Sequence, residues 1–159
     1  MGKRRILMTA FCGTSAQSLV ERANGCKTLF LPNDKVRDSE LLIQAILDES
    51  FDEVICFGQQ PLIRDQVHIE MTAKDQTFSI DTNFDYERLK RRLEANGIAV
   101  KISHNAGTSF CNRLYLNGLK YIRQNDLKTK MVFIHIPFAR NITAFDRFCE
   151  KILGVFAEG

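Results

Sequence analysis

The sequence predicts an α/β protein: a three-layer αβα sandwich around one central sheet, mostly parallel or mixed. Short apolar runs of strand type alternate with helical patterns along the whole chain. The connections between them are short and rich in Gly, Pro, Asn and Asp, with no repeat, low-complexity tract or linker. The length of 159 residues and an apolar fraction of 45% suit one domain, residues 1–159, with a single core.

Arg5–Phe11 reads as a first, largely buried strand, broken by Cys12-Gly13-Thr14-Ser15. Thr14 or Ser15 is placed to cap a helix through Leu19 and Val20 that stops at Asn24-Gly25. Thr28–Leu31 is a second strand, ended by Pro32-Asn33-Asp34. Val36, Leu41, Leu42, Ala45 and Ile46 recur at helical spacing, and that helix stops near Ser50. Glu53–Phe57 is apolar throughout and predicts a central strand, with Gly58-Gln59-Gln60-Pro61 as the turn after it.

Gln66–Ala73 alternates, with Val67, Ile69 and Met71 on one face and His68, Glu70 and Thr72 on the other. Lys74–Asn83 reads as a loop. Asn83 or Asp85 opens a helix over Tyr86–Ala95, stopped by Asn96-Gly97. A strand over 98–103 precedes a helix carrying Leu114, Leu119 and Ile122 on one side. Lys130–Ile136 is the last strand, ended by Pro137. Ile142–Phe156 is a final helix whose Phe145, Phe148, Ile152, Leu153 and Phe156 form a core stripe.

A formal charge of +3 is too small to argue for a nucleic-acid partner. No apolar run reaches membrane-spanning length, and no signal-peptide pattern follows Met1. Cys12, Cys26, Cys56, Cys111 and Cys149 are odd in number and lack zinc-site spacing, so reduced thiols in a cytoplasmic protein are expected, with no metal and no cofactor.

The stretch Ile102–Asn112 carries the chemistry. Gly107 permits a sharp turn, Thr108 or Ser109 can cap the helix that follows, and Cys111 falls in its first turn. Free amides and the helix dipole there favour a thiolate, so a lowered thiol pKa is expected. A thiol nucleophile needs an imidazole, and the imidazole needs a group to orient it. His135, on an apolar strand, and Glu70, on an alternating one, are candidates. Taken alone, His135 reads equally well as a core histidine, and the alternation around Glu70 favours the solvent face of its strand. His68, on the same strand face as Glu70, and His104, before the turn, compete as the base.

Ala106-Gly107-Thr108-Ser109-Phe110-Cys111-Asn112, followed by Tyr115, resembles the nucleophile motif of the type I pyroglutamyl peptidases (pyrrolidone-carboxylate peptidases). Phe133-Ile134-His135-Ile136-Pro137 resembles that family's histidine strand, and 135 lies 24 positions beyond 111 as the family leads one to expect. Gly58-Gln59, Arg64 and Glu70 resemble its glycine, arginine and glutamate segment, and Met8-Thr9-Ala10-Phe11 the start of its N-terminal motif.

The resemblance implies a cysteine exopeptidase that removes an N-terminal pyroglutamyl residue from a small peptide. Cys111 would be the nucleophile, His135 the base then acid, and Glu70 the orienting group, with a thioester intermediate. Phe11 would pack on the lactam ring, with Gln59 and the backbone at Phe110 beside it. Arg64 would hold the glutamate segment or the site. A homo-oligomer, a tetramer in this family, is also implied.

The chain departs from the family in four places, one being the absence of the Asn-Pro-Ser usual soon after the N-terminal motif. Cys12-Gly13-Thr14-Ser15 replaces a segment bearing a second ring-stacking phenylalanine, the stretch between Glu70 and Cys111 is shorter, and Ser109 stands where an aromatic is usual. Two alternatives follow: an amidase acting on another small N-blocked substrate, or a noncatalytic relative that binds a ligand through the remnant pocket.

Overall fold

A computed structural model describes residues 3–107 and 109–157. The elements in chain order are β1 (Ile6–Phe11), α1 (Ser15–Val20), β2 (Lys27–Leu31), α2 (Lys35–Asp48), β3 (Glu53–Gln60), β4 (Gln66–Glu70), β5 (Thr72–Lys74), β6 (Ser79–Asp81), α3 (Tyr86–Ala95), β7 (Ala99–Ser103), α4 (Phe110–Gln124), β8 (Lys130–Pro137) and α5 (Phe145–Ala157). The main sheet has the order β2-β1-β3-β8-β4-β7. β1, β2, β3 and β8 run parallel; β4 pairs antiparallel with β8, and β7 parallel with β4. The expected mixed sheet and αβα layering are both present.

Strand periodicity sorts the side chains into two cores. Met8, Ala10, Ile55, Phe57, Val67, Ile69, Val132 and Ile134 meet α1, α3 and α5 on one face. Leu7, Phe11, Val54, Cys56, Met131 and Phe133 meet α2 and α4 on the other. Burial on both faces explains why β3 and β8 read as continuous apolar runs. Helices α1, α2 and α3 start on side-chain caps: Thr14 accepts from the Gln17 amide, Asp34 from Val36 and Arg37, and Asp85 from Arg88.

The structure corrects four local expectations. Gly58-Gln59-Gln60 is not a turn: it extends β3, paired residue by residue with His135-Ile136-Pro137. The glycine spoils strand propensity, but pairing to a central neighbour overrides it. Gln66–Ala73 is two strands. After Glu70 the chain leaves the main sheet; the Met71 amide donates to Ser103, and its carbonyl accepts from Thr82. Alternation continues through the break, so the pattern alone cannot register the change of partner. The expected loop 74–83 holds β6, which pairs with β5 as Thr72↔Asp81, Ala73↔Ile80 and Lys74↔Ser79. Asp75 closes that hairpin by accepting from the amides of Thr77 and Phe78. The final helix starts at Phe145, after a 3₁₀ turn over Ala139–Asn141.

Helix α4 lies close against β8. A Cβ added at Gly118 would sit 2.6 Å from Met131 Sδ and 3.1 Å from Leu42 Cδ2, and both side chains are fully buried. Alanine gains about 1 kcal/mol in helix propensity, whereas overpacking a filled core costs about 1–3 kcal/mol. Gly118→Ala is therefore expected to lower stability by about 1 kcal/mol net, read as a drop in the urea midpoint at unchanged slope.

Candidate active site

Glu70 ends β4 and His135 sits near the end of β8. The antiparallel register sets His68 opposite His135 and Glu70 opposite Phe133, so all four side chains share the α4 face of the sheet. Glu70 is fully buried and His135 is 3% exposed. Their side chains meet at 2.7 Å, His135 Nδ1 to Glu70 Oε2. An ionised carboxylate only accepts, so with Glu70 ionised Nδ1 is the donor, and in the neutral ring Nε2 then holds a lone pair. The solvent-face reading of Glu70 gives way to this burial, while His135 is a core histidine whose partner is that carboxylate.

Cys111 is the second residue of α4, whose N-cap is Ser109. Gly107 turns at φ +90, in the left-handed region that glycine tolerates. The Ser109 side chain makes no capping bond, and Thr108 lies outside the described residues. Ser103 at the end of β7 lies level with Phe133, whereas the Cys111 sulfur lies against Gly58, level with His135.

The Cys111 sulfur lies over Gly58, the register partner of His135. A Cβ at Gly58 would come within 2.7 Å of Sγ and 2.8 Å of the Phe133 ring. The expected lowering of the thiol pKa is not found: burial pushes it up to about 12, with Cys56 and Glu70 adding to the rise. The Cys111 amide opposes this, as a helix start should, but the loss of water outweighs it. Among the described residues no hydrogen bond joins Cys111 Sγ to His135.

Tyr115 lies one helical turn after Cys111. Its hydroxyl donates to the Glu70 carbonyl at 2.8 Å, and its ring is 5.7 Å from that of Phe133, which is 5.0 Å from the His135 ring. One buried side chain therefore ties the thiol's helix to the carboxylate's strand. Next to it, Asn112 accepts from the Lys74 amide and donates to its carbonyl, fastening β5 to α4.

The candidate substrate contacts are only partly gathered. Phe11 and Phe110 have ring centroids 6.4 Å apart, beside the thiol's helix start, and Lys35 Nζ lies 5.7 Å from the Phe110 ring centroid. Gln59 Oε1 accepts from the Ser15 amide at 3.0 Å and the Ser15 hydroxyl at 3.3 Å, so that oxygen is engaged within the protein. Arg64 is exposed beside Asp65, whose carboxylate binds the Thr143 amide and hydroxyl. His104 is exposed and does not join the cluster. No His, Cys, Asp and Glu cluster suited to a metal ion occurs among the described residues.

Two positions named from sequence take places that the sequence did not assign. Gly58, matched there as part of a glycine-turn segment, is the floor beneath the sulfur. His68 is the cross-strand neighbour of His135, which only the antiparallel pairing reveals.

Comparison with known proteins places this geometry in context. A family model described as pyroglutamyl peptidase matches residues 65–149, just over half the chain, including Glu70, Cys111 and His135. The pyrrolidone-carboxylate peptidase of Alkaliphilus oremlandii is 28% identical over 144 residues, covering 76% of this chain and 67% of that protein. That of Brachyspira hyodysenteriae is 38% identical over 81 residues, 51% of this chain and 37% of the relative. That of Bacillus cereus is 42% identical over 48 residues, 30% and 22% of the two. The chain thus spans well under half the length of two of these three curated relatives. Among solved structures, pyroglutamyl peptidase I of Bacillus amyloliquefaciens superposes with a TM-score of 0.86 at 21% identity over 96% of each chain. The pyrrolidone carboxyl peptidase of Fervidobacterium islandicum gives 0.84 at 17% identity over 97% of each. These likenesses establish the shared fold, and the match of the family model carries the further conclusion: the chain belongs to the pyroglutamyl peptidase family.

Proposed function

We propose that this chain is a cysteine peptidase that removes the N-terminal pyroglutamyl residue of small peptides through Cys111, His135 and Glu70. The observation that carries the reading is the buried 2.7 Å contact between Glu70 Oε2 and His135 Nδ1, beside a thiol packed on His135's register partner. Family membership supplies the substrate class.

In this reaction Glu70 holds His135 so that Nε2 can take the Cys111 proton. As that proton moves, the sulfur attacks the pyroglutamyl carbonyl carbon, and the carbonyl π pair moves to oxygen. The first amides of α4 lack intrahelical acceptors and are the donors best placed for that oxyanion. His135 gives its proton to the departing amine as the C–N bond breaks, leaving a thioester. Water, deprotonated by His135, cleaves the C–S bond and restores the thiol. Phe11 and Phe110 form an apolar wall for the lactam, with Gln59 Nε2 as a polar group near it. A cytoplasmic location and a homo-oligomer, a tetramer by family likeness, belong to the same proposal.

Because burial keeps the resting thiol neutral, proton transfer accompanies attack and no standing thiolate–imidazolium pair precedes it. The same burial favours one competing reading, a noncatalytic relative that binds through the cleft. Turnover separates the two.

Wild-type protein is expected to release 7-amino-4-methylcoumarin from its pyroglutamyl amide. Cys111→Ser should lose at least about 10³-fold in kcat, in line with nucleophile removal in triad hydrolases. Equal rates in the two proteins would exclude Cys111 from the mechanism. Glu70→Gln keeps the shape but removes the charge and the preferred tautomer, so kcat should fall about 10²–10⁴-fold with little change in KM.

With its pKa near 12, Cys111 should react with iodoacetamide more slowly than a free thiol at pH 7.5. The rate should climb with pH and show no plateau below pH 10. A plateau near neutrality would mean that a preformed thiolate exists.

A further inference from the structure

The Glu70 carboxylate is served on one side only. Oε2 holds His135 Nδ1, while Oε1 is buried and has no hydrogen-bond partner among the described residues. A buried carboxylate oxygen without a partner is costly to maintain, and it marks a place where a donor can arrive. His68 is the donor at hand. It lies two residues before Glu70 on the same strand face, directly across from His135, and is half-buried. The charged groups acting on it are Glu70 on β4, His135 on β8 and Lys101, its register partner on β7; α4 adds the Cys111 thiol to the same face. We propose that His68 is a positioning residue whose imidazolium, when formed, binds the free Oε1 of Glu70 and competes with His135 for that carboxylate.

Two imidazoles then share one buried carboxylate. With His68 neutral, Glu70 is committed to His135, and Nε2 of His135 is free to act as a base. With His68 protonated, Glu70 is drawn towards the strand's open end, and a positive charge stands one cross-strand spacing from His135. That charge opposes protonation of His135, and its hold on Glu70 loosens the orientation of the ring. Loss of water around His68 lowers its pKa, which keeps the neutral, permissive form dominant at neutral pH. Acid conditions would therefore disable the site through two linked protonations, at His135 and at His68. The inference rests on the peptidase reading for its kinetic form, but the coupling between the two rings does not.

The coupling is tested by ring ¹⁵N NMR titration of wild type, His68→Gln and Lys101→Gln. In wild type, both rings are expected to show mutual inflections. In His68→Gln, the His135 midpoint is expected to rise by about 0.5–1 pH unit, the size expected of one nearby charge at a part-exposed site. Independent, single-step titration of both rings in wild type would overturn the proposal even if the variant failed to fold. So would an equal shift in Lys101→Gln, which would make the coupling a general effect of nearby charge. In the fluorogenic assay, the acid limb of log kcat/KM should approach a slope of two in wild type and of one in His68→Gln, a change that a packing role would not produce. An unchanged limb would count against the proposal. A wild type with no turnover at any pH would remove the peptidase reading while the NMR result still decides His68.

Discussion

The contact between Glu70 and His135 is the constraint around which this half of the molecule is arranged. Both groups are buried, so each depends on the other: removing one partner of a buried pair strands the other at a cost of about 3–5 kcal/mol. The contact also dictates topology. A carboxylate on β4 can meet an imidazole on β8 only because these strands are neighbours, antiparallel, with Glu70 opposite Phe133 and two positions diagonal to His135. The rest of the neighbourhood protects that register. Tyr115 grips the Glu70 carbonyl, Phe133 fills the space beneath both rings, and Met71 pairs with Ser103 where the chain leaves the sheet.

The thiol answers to a different balance. A position at a helix start favours negative charge, and the Cys111 amide contributes that preference. Packing the sulfur onto Gly58 and Phe133 removes it from water, and that term is the larger. A helix start is worth a few tenths to about 1 kcal/mol to an anion, whereas burying one costs several kcal/mol. In the proposed reaction the thiolate is therefore made on demand, with His135 as the acceptor. This places the selectivity of the proposed reaction in the geometry of the bound substrate, and it protects the resting thiol from adventitious electrophiles and oxidants.

The altered N-terminal turn has a structural rationale. Thr14 caps α1, and Ser15 donates from its amide and hydroxyl to Gln59 and from its hydroxyl to the Pro137 carbonyl. Cys12-Gly13-Thr14-Ser15 thus serves as a brace between the ends of β1, β3 and β8. What the resemblance assigns to a ring-stacking wall is used here, at least in part, to hold three strand ends together. Phe11 and Phe110 remain as the aromatic surface near the thiol.

Hydrophobic period, helix caps and turn residues are local properties, and they were legible from residue order alone. They account for the αβα layering, for the starts of α1, α2 and α3 and for the placement of Cys111 in the first turn of α4. The motif spacing around Cys111 and His135 pointed to the family because a short stretch of chain carries its own geometry wherever it folds. The direction of β4 was not legible, because an alternating strand reads the same whether its neighbour runs with it or against it. That direction decides whether Glu70 faces water or His135, and whether His68 is remote or adjacent. The split at Met71 and the extension of β3 through Gly58 escaped for a related reason: both are set by partners far along the chain. Nor does residue order encode how much water is lost when α4 settles onto the sheet, and that quantity inverted the expected ionisation of Cys111. The residues and their chemistry were written in the sequence; their mutual exposure and alignment came from the packing of one helix and one reversed strand.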